Sequence, residues 1–347
     1  MVKGKRQIFQ IFIDPRHGIR IWFLPLCSLL TFISSWIAVY PPALVERWYA
    51  RGAFPRISRL AGVFADVNPV AWLDIWIIAG LIVAVILVRK RRWAWILNIV
   101  AVLYLIFFWF WGLNYHRQPL ASKLAVEGAR MQRDAMEAFA EVAANELNRL
   151  YRENRSDDEL RMREEADRRV RRVIEVIDGT DWQSARRIKV SWLANPWFRA
   201  AGIEGVFNPL GHEPVVYNSL LDVERPFVIA HELAHVRGYP DEGDANVIAA
   251  FATLMSPDPA FQYSGWLSLW FYLRTSEIEK LLDTGPRNDI ERILERARRE
   301  QIRSISDFQR SLLDIFLKAN SVQEGVRSYS RVVLLVAATQ PSWDRYR

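Results

Sequence analysis

Val228-Ile229-Ala230-His231-Glu232-Leu233-Ala234-His235-Val236-Arg237-Gly238-Tyr239 carries the pattern H-E-x-x-H inside an apolar run. Residues four apart share one face of a helix. His231 and His235 can therefore offer ring nitrogens to a single zinc ion (Zn2+), while Glu232, one step round, reaches a water held there as general base. The flanks predict a helix. Pro226 stands near its start, Phe227 to Ala230 lead in, and Gly238 sits where a C-terminal cap belongs. A buried helix with three ionisable side chains side by side is costly unless something compensates them, and a metal ion does so.

Two histidines leave zinc short of the three protein ligands usual in a catalytic site. Asp241 fits H-E-x-x-H-x-x-G-x-x-D, in which Gly238 turns the chain back to the metal. Asp244 opens the next helix and would project back from it, as the acidic ligand does in gluzincins and aspzincins. Glu242 is the least favoured, since an acid there is also explained by its place at a helix N-terminus. A structural zinc would need four ligands, and the only cysteine, Cys27, lies far off in an apolar run. His212 is the one extra histidine nearby and is expected to face substrate or solvent. Tyr239, Asn218 and Asn246 read structurally as a core aromatic, a strand-end polar residue and a helix-face amide. Their functional alternative makes Tyr239 an oxyanion donor or Asn246 a partner of a ligand.

Upstream the chain turns apolar. Three runs, 21–40, 70–88 and 93–113, are each about long enough to span a bilayer, which takes roughly 20 residues. Arg89-Lys90-Arg91-Arg92 separates the second from the third, and residues 1–20 are basic, with Lys3, Lys5, Arg6, Arg16 and Arg20. By the positive-inside rule both belong in the cytoplasm, so an odd number of spans delivers the rest of the chain outside. The loop from Pro41 to Asn68 then lies outside, although Arg47, Arg51, Arg56 and Arg59 pull against the rule. Asp74 sits near an interface, where a carboxylate costs less than at mid-depth. The formal net charge of +7 is read as membrane topology plus solvated helical faces, and nucleic acid is not an expected partner.

Residues 114–180 predict amphipathic helices with a break at 154–157, a connector packing on the domain that follows. In 181–347, a zincin-like metal-binding domain, 187–193 and 213–217 alternate like strands, with Pro214 suggesting an edge. The glycines at 202, 205 and 211 mark turns. Helices are expected over 244–255, 259–283, 287–301, 303–319 and 322–338. The fold class expected is mainly α: three N-terminal transmembrane helices followed by an α+β metallopeptidase domain with a small sheet.

Leu113-Asn114-Tyr115-His116-Arg117, Tyr217-Asn218-Ser219-Leu220, the metal helix and Asp244-Ala245-Asn246 together resemble a bacterial family of three-span membrane proteins called domain of unknown function 3810. In that family Glu-Ala-Asn follows the metal helix, and the resemblance implies an acidic ligand at Asp244, one methylene shorter here. The function expected is a multi-pass zinc metallopeptidase of the cytoplasmic membrane. Its catalytic domain is extracytoplasmic, and its partners are the lipid bilayer and a peptide or protein substrate. The alternative is an inactive zinc-binding envelope scaffold or assembly protein.

Overall fold

A computed structural model describes residues 15–37, 40–126, 133–152, 158–320 and 331–346. Most of the basic N-terminus, the break at 154–157 and the first part of the helix expected over 322–338 lie outside the described residues. Among the described residues helix α1 (Pro15–Trp36) comes first, followed by a π-helical segment (Val45–Ala53) that runs into α2 (Phe54–Val67). An antiparallel-looking pair of apolar helices, α3 (Trp72–Arg89) and α4 (Trp93–Phe110), comes next. A 3-10 turn (Gly112–His116) leads to α5 (Arg133–Leu150) and α6 (Glu159–Asp178). Short α7 (Asn195–Ala201) precedes strands β1 (Gly205–Asn208) and β2 (Glu213–Val216), which pair antiparallel. The remaining chain is helical: α8 (Arg225–Val236), α9 (Glu242–Leu254), α10 (Pro259–Leu273), α11 (Thr284–Glu300), α12 (Arg303–Ala319) and α13 (Arg331–Ala338).

The fold is mainly helical with a two-stranded sheet, and it differs from expectation in three places. Among the described residues, two helices are long and apolar enough to cross a membrane, α3 and α4, not three. The apolar part of α1 that is described, Trp22–Trp36, falls short of that length. The loop expected over 41–68 is instead almost wholly helical, and its awkward arginines are partly engaged locally. Arg51 Nε donates to Glu46 Oε1 at 2.9 Å, and Arg56 donates to the Gly52 carbonyl at 3.1 Å. Finally, the strand expected over 187–193 reduces to a single bridge, Lys189 beside Val215. The actual partner of β2 is β1, in a stretch whose glycines suggested only turns. β1 pairs with β2 at all four residues, and the other side of β2, to which Pro214 presents its carbonyl, carries only the Lys189 bridge, so a missing N–H there interrupts no ladder.

The core gathers where α6, α8, α9 and α10 pack together, with α5 against α10. Val170, Ile174, Ile229, Leu233, Ile248, Phe251 and Trp270 are buried there. The helix α8 is thus central, as its near-continuous apolar sequence requires.

Carboxylates join the apolar hairpin to this body. Glu213 accepts from the free N–H groups of Trp72 and Leu73 at 2.9 and 2.8 Å, capping α3 from the sheet, while Lys189 Nζ neutralises it at 2.8 Å. Asp74, in the first turn of α3, accepts in return from the backbone N–H of Trp192 at 2.9 Å and of Leu193 at 3.1 Å, and from Ser191 Oγ. Trp111, just past the end of α4, donates its indole N–H to the carbonyl of His235 at 3.0 Å.

Candidate metal centre

Pro226 lies in the first turn of α8, where its missing N–H costs nothing, and Gly238 follows the helix at φ 77°, a left-handed conformation that favours glycine. A Cβ at Gly238 would also lie 2.7 Å from the Phe54 ring. The chain then turns back, and α9 begins beside the two histidines.

His231 and His235 point their Nε2 atoms at one another, 3.0 Å apart. Glu242 Oε2 lies 3.2 Å from the first and 3.6 Å from the second. Among the described residues these three form the group placed to hold a metal ion. Tetrahedral zinc with bonds of about 2.0–2.2 Å sets its ligand atoms about 3.3–3.5 Å apart, so the triangle is near the right size. The tautomers fit as well. His235 Nδ1 donates to the carbonyl of Tyr239 at 2.7 Å, and His231 Nδ1 donates to Asn246 Oδ1 at 2.9 Å. With each Nδ1 carrying its donated proton, the two Nε2 atoms can face each other only with a cation between them, a metal ion or a proton, and against the effect of burial the Glu242 carboxylate holds the His235 pKa up at about 9.

The structure therefore places Glu242, rather than Asp244 or Asp241, beside the histidines. Asp241 is the N-cap of α9 and accepts from the N–H of Asp244 at 2.9 Å. Asp244 turns away and accepts from the N–H of Leu120 at 3.3 Å. The two roles weighed from sequence are exchanged: the capping acid is Asp241, and the acid one residue later faces the ring nitrogens. Only the position at which the helix begins decides this, and a one-residue shift moves a side chain about 100° round the axis.

Glu232 is buried at the floor of a cavity of about 920 Å³, which His231, His235 and Glu242 also line. Its Oε2 has no hydrogen-bond partner. Burial pushes its pKa up to about 7, against the pull of His231 and His235. Burial works against the ionised form of Glu242 too, but the two histidines outweigh it and hold that carboxyl well below its usual range. Strand β1 passes so close that a Cβ on Gly205 would fall 2.5 Å from Glu232 Oε1.

Behind the site lies a buried charge cluster that sequence reasoning missed. Arg117 Nη2 meets Glu46 at 2.9 Å and Asp178 at 2.8 Å, and Lys123 bridges the same two acids at 2.7 and 2.8 Å. Arg117 Nη1 also donates to the Gly238 carbonyl at 2.8 Å, and the Tyr239 hydroxyl donates to Asp178 at 2.8 Å. These bonds fix the turn whose Tyr239 carbonyl orients His235. Tyr239 thus contributes its backbone, and its hydroxyl is engaged away from the histidines. Asn246 makes the contact with His231 that its functional alternative requires. Asn218 bonds Asn195 and Ser219 in an exposed loop. The signal for the cluster was present in Leu113-Asn114-Tyr115-His116-Arg117, but its partners lie at least 55 residues from Lys123 or Arg117 in sequence.

His212 faces neither substrate nor solvent. Its Nε2 lies 2.6 Å from Ser58 Oγ and 3.1 Å from Ser184 Oγ, within a buried knot that ties α2 to the metal-binding region. Burial, helped by Arg237, drives its pKa down to about 3.

The pattern of the family described as "Protein of unknown function (DUF3810)" matches residues 49–337, and the chain belongs to that family. No curated protein and no solved structure matches the chain.

Proposed function

We propose that this protein is a membrane-anchored zinc metallopeptidase, with His231, His235 and Glu242 as ligands and Glu232 as general base. The observation that carries the reading is the pair of imidazole Nε2 atoms converging on one carboxylate, with a second carboxylate, one oxygen of which is unpartnered, next to them. A structural site would be closed by a fourth protein ligand. Here the triangle opens into a cavity.

Zinc held by these three side chains would polarise a scissile carbonyl and acidify a water. Glu232, with a pKa raised to about 7, is suited to take a proton from that water near neutral pH and to hand it to the leaving amine. Its burial keeps competing bulk water from the carboxylate. Asn246 and the Tyr239 carbonyl hold the two rings in the ligating tautomer. Strand β1 has a strand neighbour on one side only, and Gly205, Val206 and Phe207 line the cavity. An extended peptide can pair along that free edge, which supplies affinity through main-chain hydrogen bonds without fixing sequence.

The two apolar helices and the basic turn between them support a multi-pass protein with the turn in the cytoplasm and the metal centre outside. Helix α1 supports a third span by running beside α4, with Phe32 against Tyr104 at 6.2 Å. A reporter fused after residue 120 should behave as extracytoplasmic.

The decisive test uses purified full-length protein. Wild type should carry one zinc per chain and cleave a quenched-fluorescent peptide library. Glu232→Gln should keep the zinc and lose cleavage, whereas His235→Ala should lose the zinc. Cleavage by Glu232→Gln at the wild-type rate would sink the mechanism. Zinc bound by a wild type that cleaves nothing would favour the scaffold alternative.

A further inference from the structure

Two helices far apart in sequence leave an apolar face largely exposed, and both do so at the same end of the α3–α4 hairpin. In α2 the stripe is Leu60, Val63, Phe64 and Val67, and in α12 it is Phe308, Leu312 and Ile315. Their exposures run from 44 to 76 %. Each set follows helical spacing, so each is one continuous face. The other sides are accounted for. Ser58, Gly62 and Ala65 of α2 are buried against the body of the protein. Ser306, Gln309, Leu313 and Phe316 of α12 line the metal-site cavity. Arg303, Asp307 and Asp314 form a third, polar side of α12.

Ring contacts fix the level of these faces. Phe64 stacks on Trp72, the first residue of α3, at 4.4 Å and 18°. Phe316 meets Phe107, in the last turn of α4, at 5.9 Å. Because α3 and α4 are joined at Lys90–Arg92, Trp72 and Phe107 lie at the same end of the hairpin, opposite that turn. Each helix has 18 residues and so rises about 27 Å, close to the roughly 30 Å of a bilayer's hydrocarbon. With the hairpin in a membrane, α2 and α12 lie at the boundary between acyl chains and headgroups. Exposed Arg59 beside Val63 on α2, and Lys318 beside Ile315 on α12, flank the stripes and suit anionic headgroups there.

We propose that α2 and α12 are seated in the bilayer surface at the end of the hairpin that carries the metal centre, so that the cavity opens at the membrane and takes peptide segments held against it. The occupant of both faces is lipid. A single bilayer plane covers two stripes brought to one level from positions about 250 residues apart, and it is continuous with the lipid around α4. The cavity shares this position. Its wall includes Phe107 and Trp111 at the end of α4 together with the inner side of α12. The seating rests on the reading of α3 and α4 as spans, and the substrate step rests in addition on the peptidase reading.

The test places nitroxides on the full chain reconstituted in phosphatidylcholine–phosphatidylglycerol vesicles, in a Cys27→Ser background that removes the one native thiol. Labels go at Val63→Cys and Ile315→Cys, with Leu60→Cys and Leu312→Cys as second positions should either variant fail to fold. Asp307→Cys on the polar side is the control. The labels on both stripes should be several-fold more accessible to oxygen, and several-fold less accessible to a water-soluble nickel chelate, than the label at 307. Nickel access equal to that at 307 on either helix would overturn the shared plane. Exclusion of both reagents would overturn lipid as occupant and point to a protein, a second copy included. The substrate step is read separately, by cleavage of an acyl-anchored peptide in the same vesicles against the same peptide free in solution. Faster cleavage of the anchored form supports it, and equal rates overturn it without touching the seating. Embedded labels with no cleavage of either peptide would instead remove the peptidase reading, and the substrate step with it.

Discussion

Gly205→Ala tests whether Glu232 acts from the position the structure gives it. Gly205 lies in β1 opposite Val216, with ordinary extended backbone that alanine can adopt. The added methyl would stand 2.5 Å from Glu232 Oε1 and 2.9 Å from its Cδ and Cγ. Ordinary contact begins at 3.4 Å, so the carboxylate must retreat by about 0.9 Å. It can do so cheaply, because Oε2 has no hydrogen bond to lose and the cavity lies in front of it. A displaced rotamer costs about 0.5–1.5 kcal/mol, and replacing a strand glycine returns about 0.5–1 kcal/mol through the unfolded chain. The net change in stability is then within about 1 kcal/mol of zero. A base misplaced by about 1 Å, however, can lose on the order of 100-fold in rate.

The expected signature is therefore a protein that melts almost like wild type, carries a full complement of zinc and turns over about 100-fold more slowly. Calorimetry, metal analysis by mass spectrometry and cleavage of the peptide library read the three quantities independently. Wild-type turnover in a folded, zinc-loaded Gly205→Ala protein would refute the placement of the base. Loss of zinc with the fold intact would show that the methyl reaches the ligands, contrary to the geometry.

Glu242→Gln should lose stoichiometric zinc, while Asp244→Asn keeps it and loses about 1 kcal/mol from the weakened bond to the Leu120 N–H; the reverse pattern in metal analysis would restore Asp244 as the ligand. His212 is neutral in the fold, with a pKa lowered from 6.5 to about 3. The unfolded chain therefore binds the extra proton between those values, and stability drains away as pH falls below 6.5, by about 2 kcal/mol at pH 5. His212→Asn, which tolerates the φ of 50°, should flatten that part of the melting-temperature profile, and an unchanged slope would show that other groups carry it. Arg117→Met strips one cation from two buried acids, so it should cost about 3–5 kcal/mol and weaken zinc binding through the Tyr239 turn; zinc affinity equal to wild type would free that turn from the cluster.

The metal helix was legible because its chemistry is local: H-E-x-x-H, a proline before it and a glycine after it all lie within 13 residues, Pro226 to Gly238. The two long apolar helices, α3 and α4, were legible for the same reason, as uninterrupted apolar runs. Glu242 was not, because ligand geometry depended on the residue at which α9 starts, and three acids within four positions each fit one start. Strand β1 hid behind Gly205, whose lack of a side chain reads as a turn in sequence and serves as clearance for Glu232 in space. His212 looked like a functional histidine, yet its partners Ser58 and Ser184 lie 154 and 28 residues away. Pairings at that separation leave no periodic trace.

The joints between hairpin and catalytic body use charge where a loose linker would use glycine. Glu213 caps α3 with both oxygens while buried against Lys189, and Asp74 on α3 binds the 191–193 backbone in return. Each carboxylate satisfies N–H groups that would otherwise be unpaired at low dielectric, and an unmade bond there costs about 1–3 kcal/mol. Swinging the body away from the hairpin would break both sets together, along with the indole bond from Trp111 to the end of α8. The height of the candidate metal centre above the hairpin is thus set by the fold, not by tether length. A hydrolase on a flexible stalk can sample substrates over a wide range of distances. Under the peptidase proposal this protein would work at a single depth, set by Glu213, Asp74 and Trp111.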